Sequence, residues 1–266
     1  MSFREHVVLG RTGLDVSRLG IASGYGVPDH AVERAFHEHG VNYFYWSAPR
    51  FRGGMRAALQ RLVRGHRDQL VIAMQSYDHS GLLLRWMHER GLRALGIDCA
   101  DVLILGGYGR CPPERVLGPA LKLKEQGKVR FLAMSGHRRA AFRELLQSPS
   151  SPIDVFMVRY NAAHRGAETE IFPHLPAENR PGVTTYTATR WGQLLKPAKM
   201  PPADRERPLT AAECYRFVLT SPHVDLCMTG PSSAAHLEEA LQALDAGPLS
   251  DEELARVRRI GDHVHG

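Results

Sequence analysis

Short apolar runs alternate with amphipathic stretches of roughly 10–17 residues along nearly the whole chain, the pattern of repeated strand–helix units around a parallel sheet. The runs predict strands at 18–22, 42–46, 69–74, 101–105, 129–134, 154–158, 183–187 and 224–228. Eight strands alternating with helices in 266 residues favour a closed (β/α)8 TIM barrel, whose usual length is about 250 residues. No G-x-G-x-x-G follows an early strand, which counts against an open dinucleotide-binding sheet.

Helices are predicted at 29–39, 114–126, 210–220 and 233–244. The first starts behind Pro28 with Asp29 as its cap and turns Val32, Ala35 and Phe36 to one side. The second carries Val116, Leu117, Ala120, Leu121 and Leu123 and stops at Gly127. An extra C-terminal helix at 250–260 opens on Ser250 with Glu253 three residues on, the spacing of a capping box. Ahead of the first barrel strand, 7–9 and 14–16 flank a Gly/Arg/Thr turn and predict an N-terminal β-hairpin that plugs the barrel floor. The Pro-rich stretch 196–208 reads as an excursion above the barrel, so residues 1–266 are expected to form one α/β domain.

Composition then removes several classes of function. The chain is 43% hydrophobic, enough for a sizeable core. No run approaches the ~18 consecutive apolar residues of a membrane span, and the start lacks the apolar segment of a signal peptide. A soluble cytoplasmic protein with no membrane partner is expected. Cys99, Cys111, Cys214 and Cys227 form no C-x-x-C pair, and the 14 histidines show no H-E-x-x-H spacing. Neither a metal site nor a disulfide framework is expected, and Cys99 and Cys227, in apolar strand-like runs, read as buried thiols. The net charge of +6 is carried mainly by arginines on helical stretches such as 61–67, 138–143 and 256–259. Solvated helix faces account for them, and no nucleic-acid partner is expected.

Six segments resemble the aldo-keto reductase superfamily in the order that family uses them. LGRTGLDVSRLGIAS is similar to its hairpin and first strand, AFHEHGVNYF to its A…GINFFDTA unit, and LKLKEQGKVRFLAMSG to its L…GKIRxIGVSN segment. VRYNAAHRGAE resembles its YN segment, GVTTYTATRWGQLL its AYSPLGxGxL, and MTGPSSAAHLEEAL its closing G-xxxxx-HLxEN. The likeness runs from about residue 9 to about residue 260.

The resemblance implies NADP(H)-dependent carbonyl reduction at the barrel's top face, with a tyrosine as the acid. A tyrosine near its ordinary pKa of about 10 is a poor donor at neutral pH. The family sets a lysine and an aspartate beside it, and a histidine to orient the substrate. At the matching positions this chain has Tyr45 for the aspartate, Arg50 for the tyrosine, Gln75 for the lysine and Gly106 for the histidine. A one-residue slip recovers none of the four, so the tetrad is expected to be degenerate. Tyr45, Tyr77 and Tyr108 fall at or just past strand ends two to four. Tyr45, at the floor of the expected site, is the candidate catalytic acid. The plainer reading is that its ring fills the volume vacated by the aspartate–lysine pair.

For the cofactor, the resemblance matches Tyr186 to the tyrosine that stacks on nicotinamide and Ser135 to the serine on the carboxamide. Gly136 stands for the usual asparagine and Met157 for a glutamine. Gly230, Ser232, Ser233 and Glu239 fit a phosphate- and adenosine-binding turn at a helix N-terminus, with His236 for the 2′-phosphate arginine and Ala240 for the last asparagine. Equally, Ser232–Ser233 caps that helix. These departures weaken the expected NADP(H) site. Arg50, His137, Arg138, Arg159 and Arg190 are expected at the rim, where arginines suit an anionic small molecule. Trp46 and Trp191 either wall the site or pack beneath loops. Two functions remain open. One is an NADP(H)-binding oxidoreductase of aldo-keto reductase type. The other is a barrel that has left redox chemistry, as a lyase- or isomerase-type enzyme or as an inactive binding protein.

Overall fold

A computed structural model describes residues 2–46, 55–148, 150–205 and 207–265. At the start, β1 (Val7–Val8) and β2 (Asp15–Val16) pair antiparallel as the expected hairpin. The barrel strands are β3 (Leu19–Ala22), β4 (Tyr43–Trp46), β5 (Val71–Ser76), β6 (Ala100–Leu105), β7 (Val129–Gly136), β8 (Val155–Arg159), β9 (Gly182–Tyr186) and β10 (Leu226–Thr229). They close in chain order, β10 against β3, with every pairing parallel. Outside lie α1 (Asp29–His39), α2 (Arg56–His66), α3 (Gly81–Leu95), α4 (Glu114–Glu125), α5 (Arg139–Leu146), the single turn α6 (Ala167–Glu170), α7 (Ala211–Thr220) and α8 (Ala234–Ala246). The chain ends on α9 (Asp251–His265).

The strands read as unbroken apolar runs because both faces are covered. Val155 and Met157 of β8 point into the barrel with Val71, Val102 and Leu226, above Leu9, Leu14 and Val16 of the hairpin segment. Phe156 and Val158 point outward into the larger core beneath the helices. The hairpin therefore plugs the floor, and the opposite, C-terminal ends of the strands are left to build a site.

Several expected boundaries move for local reasons. Strand β5 starts two residues late because Arg67–Gln69 forms a 3-10 turn, held by the Arg67 guanidinium on the carbonyls of Leu70 and Cys99. Strand β7 runs two residues further, through Ser135 and Gly136. Strand β10 begins only at Leu226, because the preceding Asp225 is a buried tie: its carboxylate accepts from Val183 N at 2.8 Å and from Arg180. Asp29 is not the cap of α1; Pro28 holds that position, and the Asp29 carboxylate accepts from Met55 N at 2.8 Å, joining α1 to α2. Cys99 lies just ahead of β6 and is half-buried, whereas Cys214 and Cys227 are fully buried. Burial pushes the Cys227 thiol up to about 12. The Pro-rich excursion contains two short 3-10 turns, Pro197–Lys199 and Pro202–Asp204, and is tied to α9 by buried Asp204, which meets Arg256 and Arg259.

The capping box at α9 is present: Ser250 N donates to Glu253, and Glu253 N donates to Ser250 Oγ. Arg216 of α7 adds two bonds to the same carboxylate, at 2.8 and 2.9 Å, and these, with the capping N–H, hold Glu253 down to about 2 from an ordinary 4.5. An acid depressed in the folded state stabilises above its unfolded pKa and loses that contribution as pH falls through the folded value. Glu253→Gln is therefore expected to be less stable than wild type at neutral pH, with the gap shrinking as pH falls towards 2 and closing below it, where the carboxyl too is uncharged. Denaturant midpoints against pH measure this, and a gap that persists at low pH would contradict it.

Among the described residues, no helix is long and apolar enough to cross a membrane, and no group of three or more His, Cys, Asp or Glu could hold a metal ion.

Candidate functional site

Strand alternation puts Tyr45 of β4, Gln75 of β5, Ser135 of β7 and Met157 of β8 on the inner face, near the top of the barrel. All four line one cleft of about 620 Å3, within the roughly 300–1,000 Å3 usual for small-molecule sites. A hydrogen-bonded chain crosses its floor. The Tyr45 hydroxyl donates to Gln75 Oε1, and Gln75 Nε2 donates to Ser135 Oγ at 3.0 Å.

Two glycines make this floor possible. A Cβ at Gly106 would lie 2.1 Å from Gln75 Nε2 and 2.9 Å from the Tyr77 ring. Gly106 thus lies beneath Gln75 and Tyr77 rather than on the cleft wall, and Gly107 is the residue that lines it. A Cβ at Gly136 would lie 2.1 Å from the carbonyl oxygen of Tyr108. Tyr108 is buried behind β7 with its ring edge-on to His79, away from the cleft; Tyr77 lines it.

The long wall comes from β9 and the turn after it. Tyr186 presents its ring to the cleft, and its hydroxyl donates to Gly136 O at 3.3 Å, beside His137 Nδ1. Burial pushes this phenol up to about 12. Beyond it, Thr187, Arg190 and Trp191 all adopt left-handed backbone, at φ of 64°, 50° and 50°. Such conformations in non-glycine residues cost about 1–3 kcal/mol each and gather at ligand sites. Asn161 Nδ2 holds the turn through Thr187 O at 2.9 Å, and Trp191, 64% exposed, forms the outer lip.

The far end is built by Gly230, Ser232, His236 and Glu239. Ser232 Oγ lies 2.8 Å from His236 Nδ1. Ser233 does not line the cleft; its hydroxyl accepts from His236 N at 3.2 Å and caps α8. Glu239 lines the cleft while one oxygen accepts from Ala211 N at 2.9 Å, at the start of α7. The Tyr25 ring packs over Gly230, where a Cβ would come within 2.9 Å of it.

Of the other expected rim residues, His137 lines the cleft and Arg138 is exposed. Arg190 turns away to donate to Val264 O in α9. Arg159 is half-buried at the end of β8, and Arg50 lies outside the described residues. Trp46 is no cleft wall: it points to the outer face, buried beneath the helices. Sequence reasoning missed Tyr25, Tyr215, Met228 and the strained turn after β9. Tyr25 carried a usable signal, an aromatic between glycines in the loop after the first barrel strand.

No protein-family model matches the chain. L-galactose dehydrogenase of Arabidopsis thaliana is 25% identical over 305 aligned positions, covering 96% of this chain and 94% of that protein. Methylglyoxal reductase YeaE of Escherichia coli (strain K12) is 23% identical, covering 76% of this chain and 74% of its own. Among solved structures, the holo form of the aldo-keto reductase AKR11C1 from Bacillus halodurans superposes with a TM-score of 0.78 at 24% identity, over 96% of each chain. An aldo/keto reductase from Klebsiella pneumoniae, in complex with NADP and acetate, gives 0.78 at 22% identity over 97% of this chain and 96% of that one. From the hairpin at its floor to the helix at its end, the chain has the aldo-keto reductase fold.

Proposed function

We propose that the chain is an NADP(H)-binding oxidoreductase of aldo-keto reductase type, acting in the cytoplasm on a small carbonyl compound, with Tyr45 as the proton donor. The observation that carries this reading is the continuity of the cleft. Tyr45, Gln75 and Ser135 at the floor, Tyr186 on the wall and Ser232, His236 and Glu239 at the far end all open onto one space. The residues suit a dinucleotide. Tyr186 offers a flat face, Ser135 accepts from Gln75 and keeps its own proton for a ligand, and the α8 N-terminus adds backbone N–H groups. The family's members at this fold include one solved with NADP.

The bound nicotinamide would supply the hydride. The chain's own part is to deliver a proton from Tyr45 Oη to the carbonyl oxygen as charge develops there. Gln75 Oε1 orients that hydroxyl before the reaction. Gln75 is uncharged, so it orients the phenol without supplying the positive charge that an ammonium would. That observation favours a second reading, a binding protein that keeps the cofactor and has lost turnover.

One titration separates the two. Adding NADPH to the pure protein is expected to enhance nicotinamide fluorescence saturably, and a panel of aldehydes and quinones then reports oxidation. Binding with turnover supports the oxidoreductase. Binding without turnover supports the second reading, and no binding at all overturns both.

A further inference from the structure

Beside the cleft, the end of β8 carries a guanidinium, that of Arg159, which no carboxylate among the described residues neutralises. Arg159 shares the inward face of β8 with Val155 and Met157 and pairs in register with Tyr186 of β9. It is half-buried, and among the described residues it has no hydrogen bond or ion pair. The nearby carboxylates are engaged elsewhere. Glu168 is held by Arg258 and Tyr160, Glu170 by Arg139, and Asp262 by Arg165.

His164 completes the cluster. Its Nδ1 meets Asn161 Oδ1 at 3.3 Å, and its ring stands edge-on to His265, 5.0 Å away. Burial first, then the charges of Arg159 and Arg190, hold this imidazole down to about 4. An uncompensated, half-buried guanidinium is costly without a partner, and its planar fork matches a carboxylate or phosphate.

We infer that Arg159, with His164 beside it, binds the carboxylate or phosphate of a small anionic molecule at the rim between the β8 and β9 loops. The chemistry has two sources, an acidic group on the substrate or the pyrophosphate of a dinucleotide. The inference stands without the nicotinamide reading, because its test needs no turnover.

Benzoate and inorganic pyrophosphate are titrated separately into the pure protein while the imidazole resonances of His164 are followed. A saturable shift with at least one anion is expected, weakened roughly tenfold or more in Arg159→Gln. Arg159→Met is the second variant, and denaturant midpoints confirm that the one used is folded. NADPH affinity then assigns the source: unchanged in the variant, the anion belongs to the substrate; weakened, with pyrophosphate competing, it belongs to the dinucleotide. Failure of both anions to shift His164, or an affinity in the folded Arg159 variant equal to that of wild type, overturns the site even if NADPH binds.

Discussion

Gly136→Asn, which would recreate the Ser–Asn dipeptide of aldo-keto reductases, is expected to lose about 3 kcal/mol or more of stability instead of improving cofactor binding. The added Cβ would lie 2.1 Å from a backbone oxygen, that of Tyr108. A flexible side chain could rotate away from such a clash, but this carbonyl belongs to a loop that is fixed at both ends. Tyr108 N donates to Ser135 O at 3.2 Å, and the Tyr108 ring is only 5% exposed. Retreat of the loop would strip that bond and drag the ring from its pocket. Gly106→Ala makes the useful contrast, since its Cβ meets the end of the Gln75 side chain, which can swing aside. That variant should stay folded but uncouple Gln75 from Tyr45 and Ser135. Urea midpoints for the two variants measure the difference. Wild-type stability in Gly136→Asn would show that the Tyr108 loop yields.

The barrel was legible because its information is local. Each strand is an apolar run covered on both faces, so the eight fell within two residues of their observed limits at either end. Where boundaries slipped, a single polar side chain had replaced a backbone bond, as Arg67 does before β5 and Asp225 before β10. Trp46 shows a signal that was present and unused. With Tyr45 facing inward, alternation already puts its neighbour on the outer face, where it is buried. At the site, Tyr45, Gln75, Ser135, Met157 and Tyr186 could be placed because each is a strand end on the inner face. What no periodicity encodes is how those ends meet. Gln75 lies over Gly106 and bonds Tyr45 thirty residues back and Ser135 sixty on, while Glu239 reaches back to Ala211. Of the two sequence readings of Ser233, phosphate ligand and helix cap, the structure displays the cap, its hydroxyl accepting from His236 N.

On the proposed reading, Tyr45→Phe is expected to lower kcat for carbonyl reduction by about 10²–10⁴-fold, the usual worth of a general acid. NADPH affinity should stay close to wild type, because Tyr45 is on the floor, away from Ser232, His236 and Glu239 at the far end. The variant should stay folded. Phenylalanine keeps the ring against the inner core, and the oxygen of the buried Gln75 side chain loses its donor at a cost of about 1–3 kcal/mol. Gln75→Leu offers the complementary loss. It leaves the phenol intact but removes the amide that fixes it and the bond to Ser135, so both kcat and NADPH affinity should fall. A variant pair in which Tyr45→Phe affects only kcat and Gln75→Leu affects both would locate the proton at Tyr45 Oη and the positioning at Gln75. Unchanged turnover in Tyr45→Phe would remove it from the chemistry and leave Tyr77, the next phenol on the cleft wall, as the donor to test.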